Sequence, residues 1–248
     1  MKILISNDDG YQAKGIKELA KSLSEDHKVI IVAPSVNKSA ASSSLTLGSP
    51  LKPIKITDNV YSIDATPSDC VHLALCGFLK EDFDLVVTGI NFGANLGDDV
   101  IYSGTVAGAI EGRFLGLPSV AISLASWKGN HFETAAHVAK ELINQIPHAQ
   151  LSHDTVINVN VPDVEINQLN GYQTTRLGKR HMSEPSLQDT DDPSLYWIGE
   201  NGKEADNGVG TDFHAVVNNY VSVTPLQIDL TKYNEIDTIS DWLDRLNS

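Results

Sequence analysis

Basic side chains are scarce in this chain of 248 residues: 18 Lys and Arg stand against 32 Asp and Glu, for a net charge of -14. A broad nucleic-acid surface needs a basic face, which this balance excludes. Cysteine is nearly missing as well. Cys70 and Cys76 are too few for a disulfide framework, and a reducing compartment is the simpler expectation. No apolar run approaches the ~20 residues of a membrane helix. Met1-Lys2 leads straight into a strand-like run, without the longer apolar stretch and cleavage site of a secretory leader. A cytoplasmic protein with no membrane and no nucleic-acid partner is expected. There is no Gly-x-Gly-x-x-Gly after the first apolar run, no Walker sequence, and no internal repeat. The length fits one large α/β domain, or a domain with an appendage.

What is present begins at Ile3-Leu4-Ile5, a short run that reads as a strand buried on both faces. It stops at Asn7-Asp8-Asp9-Gly10, a turn sequence. Two adjacent carboxylates therefore sit where a central strand ends, the edge at which open α/β sheets bind ligands. Each resists ionising beside the other. A hard divalent cation relieves that, because Mg²⁺ or Mn²⁺ prefers oxygen ligands. A solvated Asp-Gly turn is the plain alternative.

Further along, Ile16, Leu19, Ala20 and Leu23 recur at helical spacing, and Val29 to Ala33 reads as a second buried strand. The opening is thus a β-loop-α-β crossover. The small, polar stretch Ser35 to Ser44 follows a strand end, as linker or site loop. Leu45 to Ile63 suggests a hairpin excursion. Thr66-Pro67-Ser68-Asp69 is a helix start, with Thr at N-cap, Pro at N1 and an acid at N3. Leu85 to Thr88 is a third buried strand ended by glycine, followed by a loop rich in Gly, Asn and Asp to Asp99. Ser103-Gly104-Thr105 opens a helix of small residues, Ser119 to Ser123 is a fourth strand, and His131 to Ile146 is an amphipathic helix. Val156 to Val161 alternates from Ile157 on, so one exposed face is expected. Beyond Pro162 the segments are shorter and turn-rich, before a strand from Tyr220 to Thr224 and a helix from Ile236 to Leu246.

Three strands thus end in polar loops: Asn7 to Gly10, Ser35 to Ser44 and Gly89 to Asp99. If the strands are parallel, Asp8, Asp9, a serine near Ser39 and Asn91 converge on one rim as oxygen ligands, a set unsuited to structural zinc. The helix opening at Ser103-Gly104-Thr105 offers free N–H groups, a dipole and two hydroxyls, which make an anion site. A cation site beside an anion site suggests phosphate chemistry. His72 and Cys76 stand at i and i+4 on a helix, a spacing that can bind metal, but their apolar neighbours make core packing the expectation. Asp98-Asp99 is either a second ligand pair or, the favoured reading, a pair that leads the next helix and fixes its loop, and Arg176, Lys179 and Arg180 form a small basic cluster facing either phosphate or a neighbouring subunit.

The residues Asn7-Asp8-Asp9-Gly10-Tyr11, Gly89-Ile90-Asn91, Asn95 through Ala107, Thr211-Asp212-Phe213 and Tyr220 through Leu226 resemble the SurE family, metal-dependent 5'-nucleotidases and phosphatases. The resemblance runs almost end to end. It implies a Rossmann-like α/β core over residues 1-170, a mostly parallel sheet flanked by helices. Residues 171-248 would form a C-terminal extension of hairpin, strand and helix that exchanges between subunits of a homodimer, or of a homotetramer. It implies one divalent ion per subunit, Mg²⁺ or Mn²⁺, at positions matching Asp8, Asp9, Ser39 and Asn91. The implied substrates are nucleoside 5'-monophosphates, with 3'-nucleotides and short polyphosphate as further candidates. Leu187 to Asn207 departs from this pattern, being acidic and irregular where a better-defined hairpin is expected.

On that reading Asp8 or Asp9 accepts a proton from water, while Asn95, Ser103, Gly104 and Thr105 hold the phosphoryl oxygens. No histidine or cysteine is placed as an obvious nucleophile, so direct attack by water is expected. A receiver-type signalling domain would want an aspartate at the end of the third strand, where Thr88-Gly89-Ile90-Asn91 stands. An aspartyl-nucleophile phosphatase would want Asp-x-Asp after the first strand, which Asp8-Asp9-Gly10 does not supply. The remaining alternative is a metal-dependent nucleotide sensor that binds without turnover.

Overall fold

A computed structural model describes residues 1–149, 151, 154–199 and 201–246. Its strands are β1 (Lys2–Ser6), β2 (Lys28–Pro34), β3 (Ile54–Thr57), β4 (Val60–Ile63), β5 (Leu85–Phe92), β6 (Ser119–Leu124), β7 (Val156–Val161), β8 (Tyr172–Thr174), β9 (Lys179–Arg180), β10 (Leu187–Gln188), β11 (Tyr196–Trp197), β12 (Glu204–Asp206) and β13 (Val221–Leu226). Its helices are α1 (Lys14–Leu23), α2 (Pro67–Leu73), α3 (Gly104–Phe114), α4 (Phe132–Gln145), α5 (Asp212–Val217) and α6 (Ile236–Asp244).

Nine strands form one sheet in the order β3-β4-β2-β1-β5-β6-β7-β13-β8. From β4 through β7 every neighbour is parallel, so the ends of β1, β2 and β5 share one rim, as a Rossmann-like α/β fold requires. The strand alternation explains the layers. Ile3, Ile5, Val29, Ile31, Val87 and Ile122 face α1 and α4, packing on Ile16, Leu19, Leu23, Phe132, Ala139 and Ile143. Leu4, Ile30, Val32 and Val86 face the other way, onto Cys70, Val71 and Ala74 of the α2 region. Each fully buried aliphatic of this kind contributes about 1.5–3 kcal/mol. No helix among the described residues is long and apolar enough to cross a membrane.

Several expectations are met locally. Thr66 accepts from the Asp69 N–H while the Asp69 carboxylate accepts from the Thr66 N–H, a capping box with Pro67 at the first turn. The expected excursion is a β3-β4 hairpin at the sheet edge. Other elements differ. β5 continues past Gly89 to Phe92, because Asn91 and Phe92 resume pairing with Ser123 and Leu124 after an irregularity. β7 is not exposed on one face: Asn158 and Asn160 are both fully buried. His72 and Cys76 are not core residues; His72 is partly exposed and bonds Glu111, and Cys76 is exposed. The acidic 187–207 stretch folds as two small antiparallel pairings, β10-β11 and β12-β9.

Candidate active site

The turn after β1 is fixed first by its own backbone. Asn7 Nδ2 donates to the Gly10 carbonyl at 3.0 Å, and Gly10 adopts φ +97°, a conformation open to glycine. Asp8 is buried at 4% exposure. Its Oδ1 accepts the Thr105 hydroxyl at 2.5 Å, and the Thr105 backbone N–H acts on the same carboxylate. Gly104 lies flat against it: a Cβ there would sit 2.8 Å from Asp8 Cβ and 3.0 Å from Oδ2. The start of α3 therefore receives Asp8 as its first anion. The sequence reading gave the Thr105 hydroxyl to phosphate; the structure gives it to Asp8.

Asp9 turns toward the neighbouring strand. Its Oδ2 accepts the Phe92 N–H at 3.0 Å, and its Oδ1 accepts Asn37 Nδ2 at 3.3 Å. Asn91 Nδ2 donates to the Gly93 carbonyl at 2.9 Å, which orients the side-chain oxygen. The serine loop is tied to the same turn, because the Lys38 N–H donates to the Asp8 carbonyl at 2.7 Å. Ser39 follows directly, exposed, its N–H held by Asn37 Oδ1 at 2.8 Å. The ends of β1, β2 and β5 thus bring Asp8, Asp9, Ser39 and Asn91 to one rim.

The electrostatics of this rim favour a cation. Burial raises the Asp8 carboxyl above its ordinary range, opposed by the Thr105 hydroxyl. Burial also pushes Asp9 up to about 6, with the Asp8 charge adding to the effect and the Phe92 N–H opposing it. Among the described residues no ion pair involves either carboxylate. Lys38, beside them in sequence, pairs instead with Asp64 at 2.9 Å. Two desolvated carboxylates with an amide and a hydroxyl nearby fit a hard divalent ion.

On the adjacent side, Ser103 caps α3 by accepting the Val106 N–H at 3.0 Å. Asn95 is buried, its side-chain Nδ2 donating to Ser123 Oγ at 2.8 Å. The loop between them is held from the C-terminal half. Asp212 accepts the N–H groups of Gly97 at 2.7 Å and Gly178 at 2.8 Å, and Arg180 grips Asp99 while its N–H donates to Asp98 at 2.7 Å. The basic cluster is therefore engaged with acids: Arg180 with Asp99, Arg176 with Asp206. Asp98 and Asp99 fix their loop, as expected.

Sequence reasoning missed Asn37, Ser123, Asn158, Asn160 and Asp212. Asp212 lay inside the Thr211-Asp212-Phe213 motif without an assigned role. The two asparagines carried a weak signal, since Asn is depleted in strands.

Comparison with known proteins bears on this geometry. Residues 3–184 match the family described as survival protein SurE. A protein named 5'-nucleotidase SurE from Ruthia magnifica subsp. Calyptogena magnifica is 80% identical, covering 99% of this chain and 100% of its own. One of the same name from Methylococcus capsulatus is 56% identical over 98% of both chains. The crystal structure of a SurE protein from Aquifex aeolicus superposes with a TM-score of 0.87 at 40% identity, covering 98% of this chain and all of that one. With the motif loops on one rim and the likeness running nearly end to end, the chain belongs to the SurE family.

Proposed function

We propose that this protein is a cytoplasmic, metal-dependent phosphomonoesterase that hydrolyses nucleoside 5'-monophosphates to nucleoside and phosphate, with 3'-nucleotides and short polyphosphate as further substrates. The observation that carries the reading is the pair of buried Asp8 and half-buried Asp9, with no ion-pair partner among the described residues, at the rim of a fold whose relatives are named 5'-nucleotidases. Asp8, Asp9, Ser39 and Asn91 would hold one divalent ion per subunit, Mg²⁺ or Mn²⁺. When bound, such an ion supplies positive charge to the phosphoryl oxygens and acidifies water.

The chain's own residues do the rest. Asp8 is held by the Thr105 hydroxyl, so its free oxygen has one orientation. Asp9 is the less buried acid, and its place on the open side of the rim puts it within reach of an attacking water. Asn95 and the Ser103-Gly104-Thr105 helix start receive the phosphoryl oxygens. Water adds to phosphorus as the P–O ester bond breaks; Asp9 takes the water's proton, and the departing oxygen takes one from solvent to leave as the nucleoside hydroxyl. Uncatalysed monoester hydrolysis is slow enough that accelerations reach ~10²¹, so neutralising charge at phosphorus is the main need.

Residues 1-170 form the catalytic core in this proposal, with β8 and β13 of the C-terminal part extending its sheet. Residues 171-248 form the extension that builds a homodimer, and through it a tetramer. Exposed Ile236, Ile239, Trp242 and Leu243 on α6, with Leu246 just beyond it, support that role. Phosphate release from mononucleotides, with and without Mn²⁺ or Mg²⁺, separates the enzyme from a binding-only sensor.

A further inference from the structure

β7 breaks a packing rule. Its sequence Val156-Ile157-Asn158-Val159-Asn160-Val161 places Val159 and Val161 in the α1/α4 core. The opposite face carries two asparagines with no exposure at all. Burying an amide without partners costs about 1–3 kcal/mol by mutational measures, and aliphatic side chains would pack such a strand more stably. The partners found for the amides are specific. Asn160 Oδ1 accepts the Asn95 N–H at 2.8 Å, and Asn160 Nδ2 donates to the Asn95 carbonyl at 2.9 Å. Asn158 Nδ2 donates to the same carbonyl at 2.9 Å. Ser123, the register partner of Asn160 on β6, accepts Asn95 Nδ2. Among the described residues, the hydrogen bonds of Asn95 run to these three. Asn158 Oδ1 is buried with no hydrogen-bond partner among the described residues.

We propose that Asn160, assisted by Asn158 and Ser123, is a positioning residue of the phosphate subsite, acting through Asn95; this rests on the nucleotidase reading above. The side-chain amide of Asn160 grips both backbone polar groups of Asn95, so a loop residue is located by the central sheet. Ser123 then sets the rotation of the Asn95 side chain, turning its amide group and with it the face offered to an anion. Local rules of strand composition are broken where function requires it. The side chains of the metal-side residues at the ends of β1, β2 and β5 share none of these bonds; Ser123 adjoins that side as the backbone register partner of Asn91, so Asn160 is the cleaner position at which to perturb the phosphate half.

The test is a set of variants in the full chain, read by kcat and KM for a mononucleotide, inhibition by inorganic phosphate, and Mn²⁺ titration. Asn160→Ala should lower kcat/KM about 100-fold, since displacement of a positioning group by about 1 Å has effects of that size. It should weaken inhibition by inorganic phosphate, while Mn²⁺ affinity stays within about twofold of wild type. In an Asn95→Ala background, Asn160→Ala should add no further loss. Ser123→Ala removes one hydroxyl, serves where Asn160→Ala fails to fold, and should lower kcat/KM about 10-fold. The proposal is overturned if the Asn95 and Asn160 losses multiply, or if the foldable variants lower the melting temperature and leave phosphate affinity and kcat/KM unchanged. An active wild type with unaffected variants refutes this inference alone. A wild type that releases no phosphate refutes the nucleotidase reading and the inference with it.

Discussion

Thr105 donates its hydroxyl to Oδ1 of Asp8 at 2.5 Å, and both side chains are buried. The bond joins the first turn of α3 to the end of β1. A hydroxyl that orients a ligating carboxylate differs in effect from one that touches substrate. Thr105→Val keeps the shape and removes the donor. Both metal affinity and kcat/KM should fall about 10- to 100-fold, the range for partners that orient metal ligands. A Mn²⁺ titration checks this. Normal metal affinity with impaired phosphate affinity would return the hydroxyl to the substrate side.

Gly104 tests the same junction by volume. Its absent Cβ is what lets α3 approach Asp8 so closely. Gly104→Ala should push the carboxylate out of place, lower kcat/KM at least about 100-fold, and lower stability by about 1–3 kcal/mol, as overpacking does. Wild-type kinetics in this variant would show that Asp8 need not stand where it does.

Metal-free protein should show a pH dependence traceable to Asp9. Its folded-state carboxyl is raised from 3.8 to about 6, chiefly by burial. Between those values the folded state binds the proton that the unfolded state has lost. The contribution is therefore fully present below about pH 4 and fades as pH rises through 6. In EDTA, Asp9→Asn should match wild type near pH 4 and melt higher at pH 8. Melting curves across pH decide it; a variant less stable than wild type at pH 8 would reverse the sign and contradict the assignment.

The apolar side chains of α6 should be covered in solution. Ile236, Ile239, Trp242 and Leu243 are exposed along it and Leu246 just beyond it, and none of its residues is buried in the subunit. Light scattering should give a dimer or tetramer at micromolar concentration, with Trp242→Glu shifting the population to monomer. A monomeric wild type would remove the assembly role.

The legible part of the sequence was that dictated by local rules. Ile3-Leu4-Ile5, the Thr66 capping box and the parallel order of β1, β2 and β5 follow from periodicity, capping and crossover geometry. Asp8, Asp9 and Asn91 were legible as strand-end oxygens. What stayed hidden depends on tertiary distance. Nothing local says that Thr105 lies against Asp8, 97 positions away, or that Asp212 reaches Gly97 and Gly178. Asn158 and Asn160 were misread as an exposed face, because alternation of polar and apolar residues reports two environments without saying which polar face is wet. His72 and Cys76 were misread the other way: their apolar neighbours suggested core, while those two positions fall on the outer side of the helix.

The most direct test of the account is phosphate release from a mononucleotide panel by metal-free, Mn²⁺-loaded and Asp8→Asn protein. The account predicts turnover with Mn²⁺ or Mg²⁺, none after EDTA treatment, and a folded Asp8→Asn variant slower by several orders of magnitude. Near-wild-type turnover by well-folded Asp8→Asn protein in EDTA would contradict it.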